Sequence, residues 1–276
     1  MTRKPGSRPT GFPLGLDRLA SAPAAPSGSS VPREPLRPQR LLHQAAQDAS
    51  RLAAPSGLGL DSVKVRQRMV QRLRADGVRS ESLLAAMGQV PRHQFVDTAL
   101  AIQAYEDTSL PIGHGQTISK PTVVARMIDL LFEGVNARRD GQLGQVLEIG
   151  TGCGYQTAVL ACVARHVVSI ERVRPLFDKA RANLPETRLN QVRLVHGDGM
   201  LGHGPRAPYD SVIAAAGGND LPQAWLDQLA VGGRLVAPMV VAGGGQALMV
   251  VDRSASGWTR RQQEAVHFVP LKSGVI

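Results

Sequence analysis

Hydrophobic and polar positions divide this chain into three regimes. Residues 1–60 show no sustained apolar periodicity, apart from a short helix expected around Leu41–Leu52. From Val63 the spacing turns helical. Val63, Arg66, Val70 and Leu73 mark a first helix that ends at Asp76-Gly77. Ser80 stands as N-cap of a second helix carrying Leu83, Leu84 and Met87. Pro91–Tyr105 holds a further short helical run. Leu110–Pro121, LPIGHGQTISKP, is rich in proline, glycine and hydroxyl residues and reads as a loop. Beyond it Val124, Met127, Ile128 and Leu131 fall at i, i+3, i+4 and i+7, an amphipathic helix. Ser119 then occupies its expected N-cap position, with Pro121 in the first turn.

In the third regime strands and helices alternate. Gln145–Ile149 is a short apolar strand, followed by glycines and a helix over Tyr155–Arg165. His166–Ile170 is a β-branched strand ending at Glu171, and Arg174–Leu184 is helical. Val192–Val195 and Asp210–Ala215 are the third and fourth strands. Pro222–Ala230 is a helix closed by Gly232-Gly233, and Arg234–Met239 is the fifth strand. Continuous apolar strands alternating with helices predict a parallel sheet covered on both faces, hence an α/β fold. Gln246–Asp252 and Thr259–Val269 have no helix between them and predict antiparallel strands at the sheet edge.

Composition separates the first regime from the rest. Residues 1–60 hold nine of the nineteen prolines and eight Lys/Arg against three Asp/Glu, half of the net charge of +10. Such a segment buries too little surface to offset its ordering entropy and predicts a disordered basic tail. Residues 61–276 are then the folded domain. Because half of the basic excess sits in that tail, charge gives little reason to expect nucleic-acid binding. No apolar run is long enough for a membrane span, and the N-terminus lacks the apolar core of a secretory signal. Cys153 and Cys162 would stand about 13 Å apart on one helix, too far for a disulfide. A reduced, cytoplasmic setting fits.

The candidate chemistry begins at QVLEIGTGCGY. Gly150, Gly152 and Gly154 give GxGxG, whereas a dinucleotide fingerprint is GxGxxG. Glu148 precedes the first glycine by two residues; it would repel a pyrophosphate but suits a cationic amino-acid moiety. That points to S-adenosylmethionine. Glu171, at the end of the second strand, is placed to accept both ribose hydroxyls, or else pairs with Arg172 or Arg174. Asp198 is placed to accept the adenine amino group, or is a turn residue beside Gly199. Ser119 caps a helix, donates to a ligand, or does both. There is no GxSxG elbow around it, so a serine nucleophile is not indicated. Neither His196, His203 nor the cysteines have metal-ligand spacing, so no metal is expected. Trp225 is expected to pack on its helix.

With these residues assembled, the chain from about Val63 to Leu271 resembles the protein-L-isoaspartate O-methyltransferase family. The segments that carry the resemblance are VPRHQFV, LPIGHGQTISKP, VLEIGTGCGYQTAVLA, HVVSIER, HGDG, RAPYDSVIAAA and HFVPL, in that order. The resemblance implies a Rossmann-like class I S-adenosylmethionine-dependent methyltransferase sheet with N-terminal helices and a C-terminal antiparallel edge. It implies a cofactor held by Gln116, Thr117, Ile118, Glu148, Gly150, Thr151, Gly152, Gly154, Glu171, Arg172, Asp198 and Gly199, with Ser119 at the reacting centre. It implies methylation of the α-carboxylate of L-isoaspartyl residues in damaged proteins and peptides, leaving S-adenosylhomocysteine. That carboxylate, with a reference pKa of about 3.5, is already ionised at neutral pH, so no general base is needed. Leu110–Ile112 and Val269–Leu271 are expected along an extended peptide. The chain departs from the family at His114 and at Gly217-Gly218, with expected effect on the substrate groove. A monomer is expected, with neither nucleic-acid nor membrane partner.

Three rival activities fit these residues less well. A nucleic-acid amino-methyltransferase would carry Asn/Asp-Pro-Pro-Tyr/Phe after the fourth strand, where this chain has Ala214 to Asn219, AAAGGN. An NAD-dependent oxidoreductase is disfavoured by GxGxG and Glu148. A non-catalytic binding module is disfavoured by the intact glycines, acids and hydroxyl loop.

Overall fold

The computed structural model describes residues 63–184 and 190–276; the expected tail and the expected short helix around Leu41–Leu52 lie outside the described residues. Two helices lead in, α1 (Val63–Ala75) and α2 (Glu81–Gln89). As the sequence predicts, Ser80 caps α2, its hydroxyl accepting the Leu83 amide at 3.4 Å. The buried Asp129 adds a second cap, accepting from the Arg79 and Ser80 amides. Short 3-10 turns at Arg92–Phe95 and Thr98–Gln103 follow.

The expected loop Leu110–Pro121 contains a small antiparallel ladder, β1 (Leu110–Gly113) with β2 (Gln116–Ile118). The glycines that suggested a loop make its turn instead, with His114 between Gly113 and Gly115, all three at positive φ, while Pro111 lies within β1. Helix α3 (Pro121–Phe132) starts at a proline, whose fixed φ suits a first turn. Its buried stripe holds Val124, Met127, Ile128 and Leu131, the positions set by the sequence period. A short α4 (Val135–Asp140), not legible in the apolar pattern, ends at Gly141 in the left-handed conformation.

The remaining strands form one seven-stranded sheet. In chain order they are β3 (Gln145–Ile149), β4 (His166–Glu171), β5 (Val192–His196), β6 (Tyr209–Ala214), β7 (Leu229–Val240), β8 (Gln246–Ser254) and β9 (Gly257–Val266). Their spatial order is β5-β4-β3-β6-β7-β8-β9. The first five pair in parallel, and β7-β8 and β8-β9 are antiparallel, as expected from the missing helix. Helices α5 (Tyr155–Val163), α6 (Arg174–Asn183) and α7 (Gln223–Gln228) join the parallel strands. The helix expected to Ala230 is shorter, because β7 starts at Leu229.

Successive residues of a strand feed opposite faces, and the core divides accordingly. Val146 and Ile213 pack toward the lead-in helices, α3 and α5, whereas Leu147 and Val212 pack toward Trp225 and Leu226. Burying each such side chain contributes roughly 1.5–3 kcal/mol. Helix α5 is buried almost all round, since it lies between the sheet and α2. The chain leaves β3 toward β4 on one side, while β6 lies on the other. The carboxyl ends of β3 and β6 therefore border the crevice where doubly wound sheets bind ligands. No helix among the described residues is long and apolar enough to cross a membrane.

Candidate functional site

Strand β3 delivers Ile149 to the glycine turn, where Gly150, Gly152 and Gly154 have φ of +89°, +57° and +90°. Side chains rarely adopt these values, so the turn requires glycine. A Cβ on Gly150 would lie 3.5 Å from that of Ala215 after β6, which shows how closely the two loops approach. Glu171 closes the turn from β4. Its Oε2 accepts the Gly152 amide and its Oε1 the Val173 amide, each at 2.9 Å.

Glu148 sits beneath this turn and not in the crevice. It is fully buried; Gln156 Nε2 donates to Oε1 at 3.1 Å and Thr157 Oγ1 to Oε2 at 2.5 Å. Burial pushes its carboxyl up to about 7, against the lowering effect of these hydrogen bonds. Its reach toward a cationic ligand is through Gln156, which does line the crevice.

The opposite wall is the β2 end. Buried Ile118 anchors the hairpin in the core, and half-buried Ser119 follows. The sequence suggested that Ser119 caps α3, but Lys120 is the capping residue and makes no side-chain cap bond. Asp107 does that work from outside the helix, accepting from the Thr122 amide at 2.9 Å and its hydroxyl at 2.8 Å. Burial disfavours the Asp107 charge, but these bonds and Lys120 hold its carboxyl below the usual range. The Ser119 hydroxyl makes no hydrogen bond among the described residues, and its carbonyl accepts from Arg92 Nη2 at 2.7 Å.

A crevice of about 180 Å³ brings together Gln116, Thr117, Ile118, Ser119, Gly150, Thr151, Gly152, Glu171, Arg172 and Gly199. Its apolar wall is Ile149, Ile170, Val173 and Leu176. Three expected residues stand one layer behind. Besides Glu148, Gly154 is the N-cap position of α5, where a Cβ would meet the Ala180 backbone at 3.4 Å. Asp198 accepts from the Met200 amide at 2.9 Å and the Gly274 amide at 2.6 Å. Gly199 is held by Trp225, whose indole donates to its carbonyl at 2.8 Å, so the expected packing residue also braces the crevice.

The C-terminal segment completes the crevice, and sequence reasoning missed most of it. Gly217 pairs with both Val269 and Leu271 at 2.8 Å, so the glycine pair anchors this segment. Arg172 then donates to the Gly274 and Ser273 carbonyls, and Ile276 pairs with the backbone of Arg172 and Arg174. His114, expected to bear on the substrate groove, lines the crevice.

A second cavity of about 660 Å³ lies beside the first. Its apolar lining includes Val123, Leu248 and Phe268, with Arg126 and Glu264 paired at 2.7 Å on its wall. Thr117, Ser119, Ala215 and Val269 line both cavities. Ser119 therefore stands at the junction of a glycine-walled crevice and an open groove.

Comparison with known proteins bears on what such a junction serves. The family model for protein-L-isoaspartate(D-aspartate) O-methyltransferase matches residues 64–275. A protein-L-isoaspartate O-methyltransferase of Methylibium petroleiphilum is 61% identical over 98% of each chain. One of Leptothrix cholodnii is 60% identical over 87% of this chain and 84% of its own. Among solved structures, a protein-L-isoaspartate O-methyltransferase superposes with a TM-score of 0.65 at 25% identity, over 76% of this chain and 67% of that one. A Plasmodium falciparum structure described as a protein of this kind in complex with S-adenosyl-L-homocysteine gives 0.64 at 22% identity, over 75% and 98%.

Proposed function

The chain belongs to the protein-L-isoaspartate(D-aspartate) O-methyltransferase family, and from that premise we infer how its residues share the reaction. It transfers a methyl group from S-adenosylmethionine to the α-carboxylate of L-isoaspartyl residues in damaged proteins and peptides, which initiates their repair. The observation that carries the division of labour is that Ser119 and Thr117 line both cavities.

The crevice residues suit this cofactor. A nearly buried carboxylate, Glu171, stands beside apolar Ile170 and Val173, a combination that fits a ribose diol next to a base. Gln116, Thr117 and Ile118 with Gly150, Thr151 and Gly152 would hold the rest, and Arg172, Asp198 and Gly199 shape the adenosine end. Glu148 acts from beneath, fixing Gln156 and lending negative potential to the cationic amino-acid end. When bound, the cofactor supplies an electrophilic methyl on a sulfonium.

The groove takes the isoaspartyl acceptor. Its carboxylate arrives ionised, with a reference pKa of about 3.5, so no residue needs to remove a proton. Ser119 Oγ, which makes no hydrogen bond among the described residues, donates to one carboxylate oxygen and leaves the other to react. Negative and positive charge disappear together as the methyl moves, so walls that exclude water favour the step. Of the segments expected along the peptide, Leu110–Ile112 and Val269–Leu271, only Val269 lines the groove, so the acceptor is read as extended backbone near Val266–Val269.

In this reading residues 61–276 form the catalytic domain and 1–60 an appended tail. The enzyme works on proteins and peptides, not nucleic acid, as a monomer in the cytoplasm. Labelled S-adenosylmethionine with two matched peptides, one isoaspartyl and one aspartyl, tests the proposal. Base-labile label on the isoaspartyl peptide alone supports it, and label on neither or on both contradicts it.

A further inference from the structure

Arg92 is fully buried, yet among the described residues no carboxylate pairs with it. Arg234 is buried too, and the contrast is informative. Arg234 is matched by Asp252 at 2.6 Å and Glu133 at 3.3 Å, as a structural arginine should be. Arg92 spends its donors on backbone. Its Nε donates to the Ala104 carbonyl and its Nη2 to the Ser119 carbonyl, both at 2.7 Å, and Nη1 is buried without a hydrogen-bond partner. The guanidinium lies over the Tyr155 ring, 4.7 Å from its centroid. Tyr155 is the first residue of α5, directly after the glycine turn.

We infer that Arg92 is a positioning residue for methyl transfer: its planar fork fixes the Ser119 backbone relative to the glycine turn. Two carbonyls and one ring, from three separate segments, converge on one rigid group. A lysine ammonium in that place is a single point donor and cannot hold two carbonyls in fixed relative orientation. The near-attack geometry of two bound reactants depends on such relative placement, because small displacements of an aligning group are costly in rate. Burying a guanidinium without a paired carboxylate is unfavourable, so the fold alone gives little reason for an arginine here.

The inference rests on the reading of Ser119 given above, and a double-mutant cycle separates the two. Arg92→Lys, Ser119→Ala and the double variant are assayed with an isoaspartyl peptide, alongside S-adenosylhomocysteine affinity. Arg92→Lys is expected to lower kcat about tenfold while changing that affinity less than about threefold. In the Ser119→Ala background the same change is expected to cost less than about twofold, because it acts through the residue already removed. Equal losses in both backgrounds would overturn the role of Arg92 while leaving that of Ser119 intact. An unimpaired Ser119→Ala would overturn both. If Arg92→Lys does not fold, nitrogen-labelled arginine in the wild-type protein gives a second readout. The Arg92 Nε–H resonance is expected to shift when isoaspartyl peptide joins the S-adenosylhomocysteine complex but not with aspartyl peptide; an unmoved resonance overturns the inference.

Discussion

Asp107 caps helix α3 across fourteen intervening residues: its two carboxylate oxygens take the amide and the hydroxyl of Thr122 at 2.9 and 2.8 Å. This relationship releases Ser119 from the helix end and leaves its hydroxyl for the acceptor. Asp107→Asn is expected to cost about 1 kcal/mol of stability at neutral pH, the usual size of a lost cap. The sign of the pH dependence follows from the lowered native carboxyl. The stabilisation is complete above the unfolded value of about 3.9 and is lost as pH falls through the lower native one. Denaturation midpoints of the two proteins should therefore converge on acidification.

Glu148 predicts the opposite slope. An unfolded chain gives up this proton near pH 4.3, roughly, whereas the buried carboxyl holds it to about 7. Stability of the cofactor-free protein should fall with rising pH across that window, and Glu148→Gln should remove the fall. Cofactor binding should mirror this. Affinity for S-adenosylmethionine rises with pH up to about 7 in the wild type and is flat in Glu148→Gln, as measured by calorimetry.

The last four residues hold both Arg172 and Asp198. Truncation after Lys272 should free these side chains and open the crevice. The expected result is S-adenosylhomocysteine release accelerated roughly tenfold, equivalent to about 1.4 kcal/mol. Stopped-flow release measurements decide this, and an unchanged rate would separate the C-terminal segment from the cofactor.

Gly199 leaves no space for a side chain: a Cβ would lie 2.5 Å from the branched Cγ2 of Ile149. Gly199→Ala should therefore displace the crevice wall and weaken S-adenosylhomocysteine binding by at least about tenfold, since buried strand residues yield little. Gly141→Ala, with nothing near its Cβ but a φ of +66° that side chains rarely adopt, serves as control: it costs stability without affecting binding.

Periodicity made most of this fold legible. The apolar stripe of α3 and the two-faced burial of Val146–Ile149 are repetitive signals, so helix and parallel strand followed from spacing. The glycine turn and Glu171 were legible because strand-turn-helix chemistry has a fixed spacing. What escaped was long-range. Asp107 replaces Ser119 as cap through a contact that no local pattern encodes. Arg92 reads as one basic residue among many until folding buries it behind Ser119. Ile276 reaches Arg174 only because antiparallel β8 and β9 return the chain across the crevice. Glu148 was legible as an acid beside the glycines, but which layer it faced depended on Gln156 and Thr157 turning inward from α5.

The most direct test of the account is Ser119→Ala, assayed for turnover of an isoaspartyl peptide and for S-adenosylhomocysteine affinity in the same preparation. A donor that aligns the acceptor predicts a fall in kcat of about a hundredfold, with affinity changed less than about threefold. Equal losses in both, or no loss in kcat, would contradict a reacting centre at the junction of crevice and groove.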